Sequence, residues 1–272
     1  MSLFDIMDEI TAKQVTKTEF GENRILGVMT GTVTDNYEKK MQGKVRVQIP
    51  VRDENANILK WARVAMPSSG DKWGHYFLPE AGDQVLLAFE EGNIEKPYVI
   101  GCIPKDNSRL LSSSADEHNQ YKKIQTRHGS VIAFLDSKDS EEGDKDKILV
   151  QTAKELHSLE LDNAKNQITI SDKDEKNAVV IQTEKGKMTV KAEKKLVIQV
   201  GDSIEITMNG ENGTIDVKCS TLKEQAGKAL KLETDGNGSL KASAGLSLEG
   251  GSQAKLSSGG QTALDGSLIK IG

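Results

Sequence analysis

From Leu135 to Gly272 the chain contains no phenylalanine, tryptophan, tyrosine or proline. Aromatic side chains supply much of the area that a thick globular core buries, so the second half cannot be an ordinary globular domain. Cysteine is also scarce. Cys102 and Cys219 are the only two and lie far apart, which excludes a disulfide scaffold and fits a chain made in a reducing cytosol. No apolar run approaches the ~18 residues of a membrane span. The opening residues carry Asp5, Asp8 and Glu9 where a signal peptide needs a basic and then an apolar stretch. Basic residues do not outnumber acidic ones: 36 Lys and Arg stand against 41 Asp and Glu, a net charge of −5. That balance argues against a general nucleic-acid binder.

What is present divides the chain in two. All five prolines fall between Pro50 and Pro104, and all eleven aromatics between Phe4 and Phe134. In this front part, residues 25–33 read as a first strand whose glycines permit tight curvature. Residues 43–49 alternate apolar and polar with period two and stop at Pro50. Residues 61–66, 83–89 and 96–101 read as three more strands, the last two joined by a turn at Glu91, Gly92 and Asn93. Five short strands with no helical stripe between the first three predict an OB-type five-stranded barrel over residues 25–111. Ser112, Ser113 and Ser114 and the polar residues after them predict a linker over 112–125.

The back part repeats. Leu232, Leu240, Leu248, Leu256 and Leu264 are spaced by eight without a slip. Upstream, Met188/Val190, Leu196/Ile198 and Ile204/Ile206 keep the same step, with the second of each pair two residues on. Earlier pairs, Ile148/Val150, Leu159/Leu161, Ile168/Ile170 and Val179/Ile181, recur every nine or eleven residues. Each pair puts two side chains on one face of a short strand, and a fixed period signals stacked units. Eight extended residues cover about 27 Å at ~3.3 Å each, too little for one chain to wrap a filled three-sided coil. Three chains supplying eight residues each can close it. The octads therefore predict an intertwined homotrimer, a three-sided β-prism over 126–272. Val190, Ile198, Ile206, Leu232, Leu240, Leu248, Leu256 and Leu264 would face its axis. Thirteen of the 25 glycines follow Val200, where corners and close chain approach would need them. A single-layer meander of hairpins is the alternative for residues 148–190, but it leaves the strict octads unexplained. A calcium-binding nonapeptide coil lacks its Gly-Gly-Asp pattern here, and disorder has no reason to keep leucine in phase.

Several ordered patches carry a family resemblance. They are Trp61-Ala62-Arg63-Val64, Trp73-Gly74, the run from Pro79 to Val85, Phe89-Glu90-Glu91-Gly92, and Lys96 to Gly101. In order and spacing they resemble the barrel of contractile-tail spike proteins: the VgrG family of type VI secretion, phage baseplate assembly protein V and the spikes of contractile injection systems. Thr126-Arg127-His128-Gly129-Ser130, the Asp/Asn-rich repeats and the ending Ser267 to Gly272 resemble the β-prism of the same proteins. The resemblance implies a structural spike, not an enzyme, built in the cytoplasm into the tip of a contractile particle. It would pierce a target envelope without stable membrane insertion.

Two departures from the family matter. A VgrG hub domain would precede the barrel, and here about 24 residues do, so residues 1–24 are expected to dock on a separate hub protein through Phe4, Ile6 and Met7. No space is left for a lysozyme-like domain. At the other end Leu268, Ile269, Lys270, Ile271 and Gly272 are expected to form a platform that a PAAR-repeat tip protein caps.

Features that invite chemistry have plainer readings. His75, near Asp71 and Trp73, lacks a nucleophile–base–orienter set, and His128 falls where a turn into the needle is expected. The acids Asp136, Asp139, Glu141, Glu142, Asp144 and Asp146 could recruit a cation. Interleaved Lys138, Lys145 and Lys147 and the absence of an EF-hand pattern read instead as a solvated loop. Lys39, Lys40, Lys44 and Arg46 could touch nucleic acid on an OB barrel, but no overall basic excess supports them. Neither cofactor nor metal is expected. The competing functions are a spike-borne effector or cell-wall hydrolase, which needs a further domain of ~100 residues, and an OB-fold nucleic-acid-binding protein, which leaves the repeats unexplained.

Overall fold

Alternation with period two folds the front of the chain. The computed structural model describes Met7 and residues 24–50 and 58–270. Five strands, β1 (Met29–Asp35), β2 (Lys44–Ile49), β3 (Ile58–Val64), β4 (Gln84–Phe89) and β5 (Pro97–Ile103), close into a barrel in the order β1-β2-β3-β5-β4. β3 and β5 run parallel, with Arg63 opposite Tyr98 and Val64 opposite Val99, and the other neighbours are antiparallel. In β2 the apolar set Val45, Val47 and Ile49 is fully buried, while Lys44, Arg46 and Gln48 alternate towards the surface. Val33, Ala62, Val85, Leu87 and Val99 complete a small aliphatic core. Closure leaves no barrel strand with a free edge.

One glycine in β1 answers to packing rather than curvature. A Cβ on Gly31 would come within 2.7 Å of Leu87 Cδ1 and 3.2 Å of the Gln48 carbonyl oxygen, so Gly31 lets β1 approach the central core leucine. Because the core is so small, Leu87→Ala should cost about 2–5 kcal/mol, read as a lower barrel unfolding midpoint in denaturant.

Past the barrel, a helical turn at Arg109–Ser112 leads to a second sheet. β6 (Tyr121–Gln125), β7 (Val131–Leu135), β8 (Lys147–Gln151), β9 (His157–Asp162), β10 (Gln167–Asp172), β11 (Ala178–Gln182) and β12 (Lys187–Lys191) pair antiparallel in chain order as one seven-stranded sheet. β6 falls inside the stretch expected to be linker. Turns of four residues, 163–166 and 183–186, alternate with longer connections at 152–156 and 173–177. That alternation of short and long turns at opposite ends of the strands produces the nine- and eleven-residue steps.

Over Tyr121–Lys191 each strand pairs with its neighbour in the same chain, the arrangement that the meander alternative expected for residues 148–190. The turns explain why: four or five residues suffice to reverse a strand onto its predecessor, so no second chain is required to satisfy the backbone.

The seven-stranded sheet stops at β12, where the step shortens to eight. β13 (Lys195–Val200), β14 (Ile204–Asn209) and β15 (Thr214–Lys218) form a three-stranded sheet. Beyond it, residues 219–270 contain no strand among the described residues, yet they are not featureless. The backbone bends at Gly227-Lys228, Asp235-Gly236, Ser243-Ala244, Gly251-Ser252, Gly259-Gly260 and Ser267. The bends recur every eight residues, in phase with the leucines.

Candidate functional surface

The pairing register of the seven-stranded sheet sorts its side chains into rows. Opposite residues line up as Lys122, Phe134, Ile148, Leu161, Ile168, Ile181 and Met188. Two residues along each strand lies a second row: Ile124, Ile132, Val150, Leu159, Ile170, Val179 and Val190. Because side chains two apart share a face, both rows point the same way. Thirteen of the fourteen side chains are apolar; the exception is Lys122.

Among the described residues this face has no second layer over it. Ile124, Ile170 and Val190 are just over half exposed and Met188 is 65% exposed, while Leu159, Leu161, Ile168, Val179 and Ile181 are partly covered by their neighbours. Phe77, from the barrel side, lies at one end of the depression that the second row lines. The exposed apolar area is on the order of 1,000 Å², well above the largest patch usual on a monomer.

The opposite face is mixed, with Ala133, Leu149 and Val180 among polar residues and paired charges. Asp162 is almost completely buried there, with Lys147 Nζ at 2.6 Å and Lys165 Nζ at 3.3 Å from its Oδ2. Burial pushes the Asp162 carboxyl up, but the Lys147 and Lys165 ammonium groups at Oδ2 and the Lys165 amide, which donates to Oδ1, outweigh it and hold it below the usual carboxylate range. The same contact raises the Lys147 ammonium.

The residues singled out for chemistry have other duties. In the acidic loop, Asp144 accepts from the Glu141 amide and the Ser140 hydroxyl, Asp146 from the Ser137 amide, and Asp136 pairs with Lys122 at 2.7 Å. The carboxylates order turns. His75 Nδ1 lies 2.9 Å from Ser68 Oγ in a small hairpin bridged at Ser69 and Gly74. His128 sits in the β6–β7 turn, which the Thr126 amide closes on the Ser130 carbonyl. Among the described residues no three His, Cys, Asp or Glu side chains group as a metal site.

The expected axis residues fall in different settings. Val190 belongs to the apolar face, Ile198 to β13 and Ile206 to β14. Leu232, Leu240, Leu248, Leu256 and Leu264 are between 66% and 86% exposed, without a packing partner layer in the single chain. At the far end Leu268 and Ile269 are exposed, as is Lys270; Ile271 and Gly272 lie outside the described residues. Of the expected hub anchors Met7 is exposed, whereas Phe4 and Ile6 also lie outside them. Sequence reading missed both rows at their β6–β7 end, where Ile124, Ile132 and Phe134 are spaced by eight and two.

A closed β1-β2-β3-β5-β4 barrel followed by an unlayered sheet can be compared with known proteins. Residues 29–103, the barrel itself, match the family described as the type VI secretion system/phage-baseplate injector OB domain. The matched part of the chain is similar to VgrG-like spike proteins. It is 31% identical over 96 residues to type VI secretion system spike protein VgrG5 of Pseudomonas aeruginosa, covering 32% of this chain and 12% of that protein. With spike protein VgrG4b of the same organism it shares 29% identity over 140 residues, 43% of this chain and 17% of the relative. The chain thus spans less than a fifth of the length of these VgrG relatives.

Proposed function

We propose that the chain is the needle of a contractile injection spike, a non-enzymatic homotrimer. The observation that carries this reading is the bare apolar face joined in sequence to a VgrG-like barrel. A face two side chains wide cannot stay in water over seven strands, and the octads beyond it have the length of one side of a three-chain coil. Bends every eight residues are the corners such a coil requires. Three copies would bury the two rows and the leucines along one axis and pair the bare strand edges of residues 219–270 between chains.

The mechanism is mechanical. Contraction of a sheath would drive the spike through an envelope, and interchain pairing would resist unravelling because every rung is shared. Residues 1–24, with Phe4, Ile6 and Met7, would dock on a hub at the tube end. Leu268, Ile269, Lys270, Ile271 and Gly272 would meet a PAAR-type tip protein.

Native mass spectrometry of the isolated protein should give a particle at three times the 29.6 kDa chain mass. A stable folded monomer would reject the needle.

A further inference from the structure

The octads that close the back of the needle specify register only weakly. Sliding one chain by eight residues still sets leucine beside leucine at four of the five positions from Leu232 to Leu264. Side-chain patterning fixes strand register only where a slip exposes something or buries something wrong. Here a slip of one octad changes only the companion positions two residues before the leucines, Leu230, Gly238, Leu246, Ala254 and Thr262, most of which are small.

The seven-stranded sheet differs on each count. Its strands are held in register inside their own chain, so its apolar face presents a fixed pattern to a neighbour. That pattern is marked at one end by Lys122, the single cation in two rows of apolar side chains, whose ammonium is 2.7 Å from Asp136 and also donates to the Asn119 carbonyl at 2.6 Å. Displacing one copy by two strands, about 10 Å, would press that ammonium against a neighbour's Ile148 or Val150. Desolvating it there would cost several kcal/mol. A lone polar residue in an apolar seam sets register in coiled coils for the same reason.

The occupant of the face is argued from its form. It exposes on the order of 1,000 Å² of apolar surface per copy, in the class of a stable interface. It is two side chains wide, as are the paired apolar positions Leu196/Ile198 and Ile204/Ile206 that follow it in sequence. A further copy of this chain fits both.

We propose that the apolar face of Tyr121–Lys191 is the alignment surface of the assembly. Three copies meet there first, with Lys122 as the register mark, and thereby set the register in which residues 219–270 pair. This rests on the trimeric reading above. In a three-chain coil that turns one corner per octad, each octad lies on a face beside the next octad of a neighbouring copy. Lys241 of one copy is then adjacent to Glu249 of another.

The test uses the full chain with Cys102→Ser and Cys219→Ser, plus Lys241→Cys and Glu249→Cys. Adjacent strands bring such thiols within disulfide reach, so mild oxidation should link all three chains when the register is native. Two further variants are then made on this parent. Val150→Asp with Ile170→Asp disables the face, at two positions already exposed in the single chain, and should abolish the linked trimer. Lys122→Ile removes only the mark; native mass spectrometry should still give a trimer, with a lower linked fraction and slipped, unlinked species. Far-UV circular dichroism identifies a face variant that has simply unfolded, in which case Lys122→Ile alone decides. Full linkage in Lys122→Ile, or in a folded face variant, would overturn the inference. A trimeric parent that forms no disulfide would also overturn it, through the neighbour relation. A parent that is not trimeric would instead remove the needle reading itself.

Discussion

Leu248→Lys is expected to lower the melting temperature of the needle sharply or to abolish its trimer, while Glu249→Lys leaves both close to unchanged. In the single chain the two positions are alike: Leu248 is 76% exposed and Glu249 is also exposed. Isolated-chain physics therefore predicts no difference between the variants, and any difference must come from other chains. If Leu248 faces the axis, the variant places three ammonium groups around one point in an apolar interior. Each costs several kcal/mol to desolvate, and the octad's one carboxylate, Glu249, would point outward. Glu249 follows Leu248 on the opposite side of the strand, where a lysine stays in water. Thermal melting and native mass spectrometry of the two variants side by side measure the contrast. Equal stability would reject the inward assignment of the octad leucines.

How far the sequence carried each part depended on what kind of information the part uses. The barrel was legible strand by strand, because β2 alternates cleanly, β4 is a short apolar run, and Pro50 and the Glu91–Asn93 turn punctuate them. Its closure rests on β3 pairing parallel with β5, a contact of high sequence separation that no local pattern specifies. The observed limits of β1 and β3 are shifted by a few residues for the same reason: partners, not propensity, end a strand.

In the back part the pairs spaced by two were read correctly as one-faced strands. What the period meant was harder. Steps of nine and eleven average close to a regular rung, and only the turn lengths reveal that they alternate between two ends of a meander. The same eight-residue step turns back at 201–203 between β13 and β14, whereas the leucine octads of residues 219–270 form no strand among the described residues and show only their bends. Ile124 went unnoticed because it lies in the stretch expected to be linker, and Ile132 and Phe134 because the paired positions were followed only from Ile148 onward. Asp162 could not have been found at all. It lies in a Lys/Asp/Asn-rich stretch where every charge looks solvated, and its contact with Lys147 exists only once β8 and β9 are in register.

That buried carboxylate gives a second large effect. Asp162→Ala is expected to destabilise the seven-stranded sheet by about 1–3 kcal/mol, the usual range for a lost hydrogen bond to a charged group. Lys147 is only one-third exposed, and without Asp162 its ammonium loses a contact at 2.6 Å. Three such sites would act together in a trimer. The pH dependence follows from the directions of the shifts. Burial alone would raise the Asp162 carboxyl, but Lys147 and Lys165 depress it overall. Its contribution is therefore complete above the unfolded carboxylate value of about 3.9 and is lost as pH falls through the lower folded value. Lys147 is raised by its hydrogen bond to Asp162, so its share is complete below the unfolded lysine value of about 10.4 and is lost only as pH rises through the folded one. Between those limits the pair is fully formed. Melting temperatures measured from pH 2 to pH 7 should fall at the acid end more steeply in the unaltered protein than in Asp162→Asn, which has no carboxylate to protonate. At pH 7 the variant should be the less stable of the two, and the gap should narrow as the pH drops. Parallel curves across the whole range would show that the Asp162 carboxylate contributes nothing to holding the sheet together.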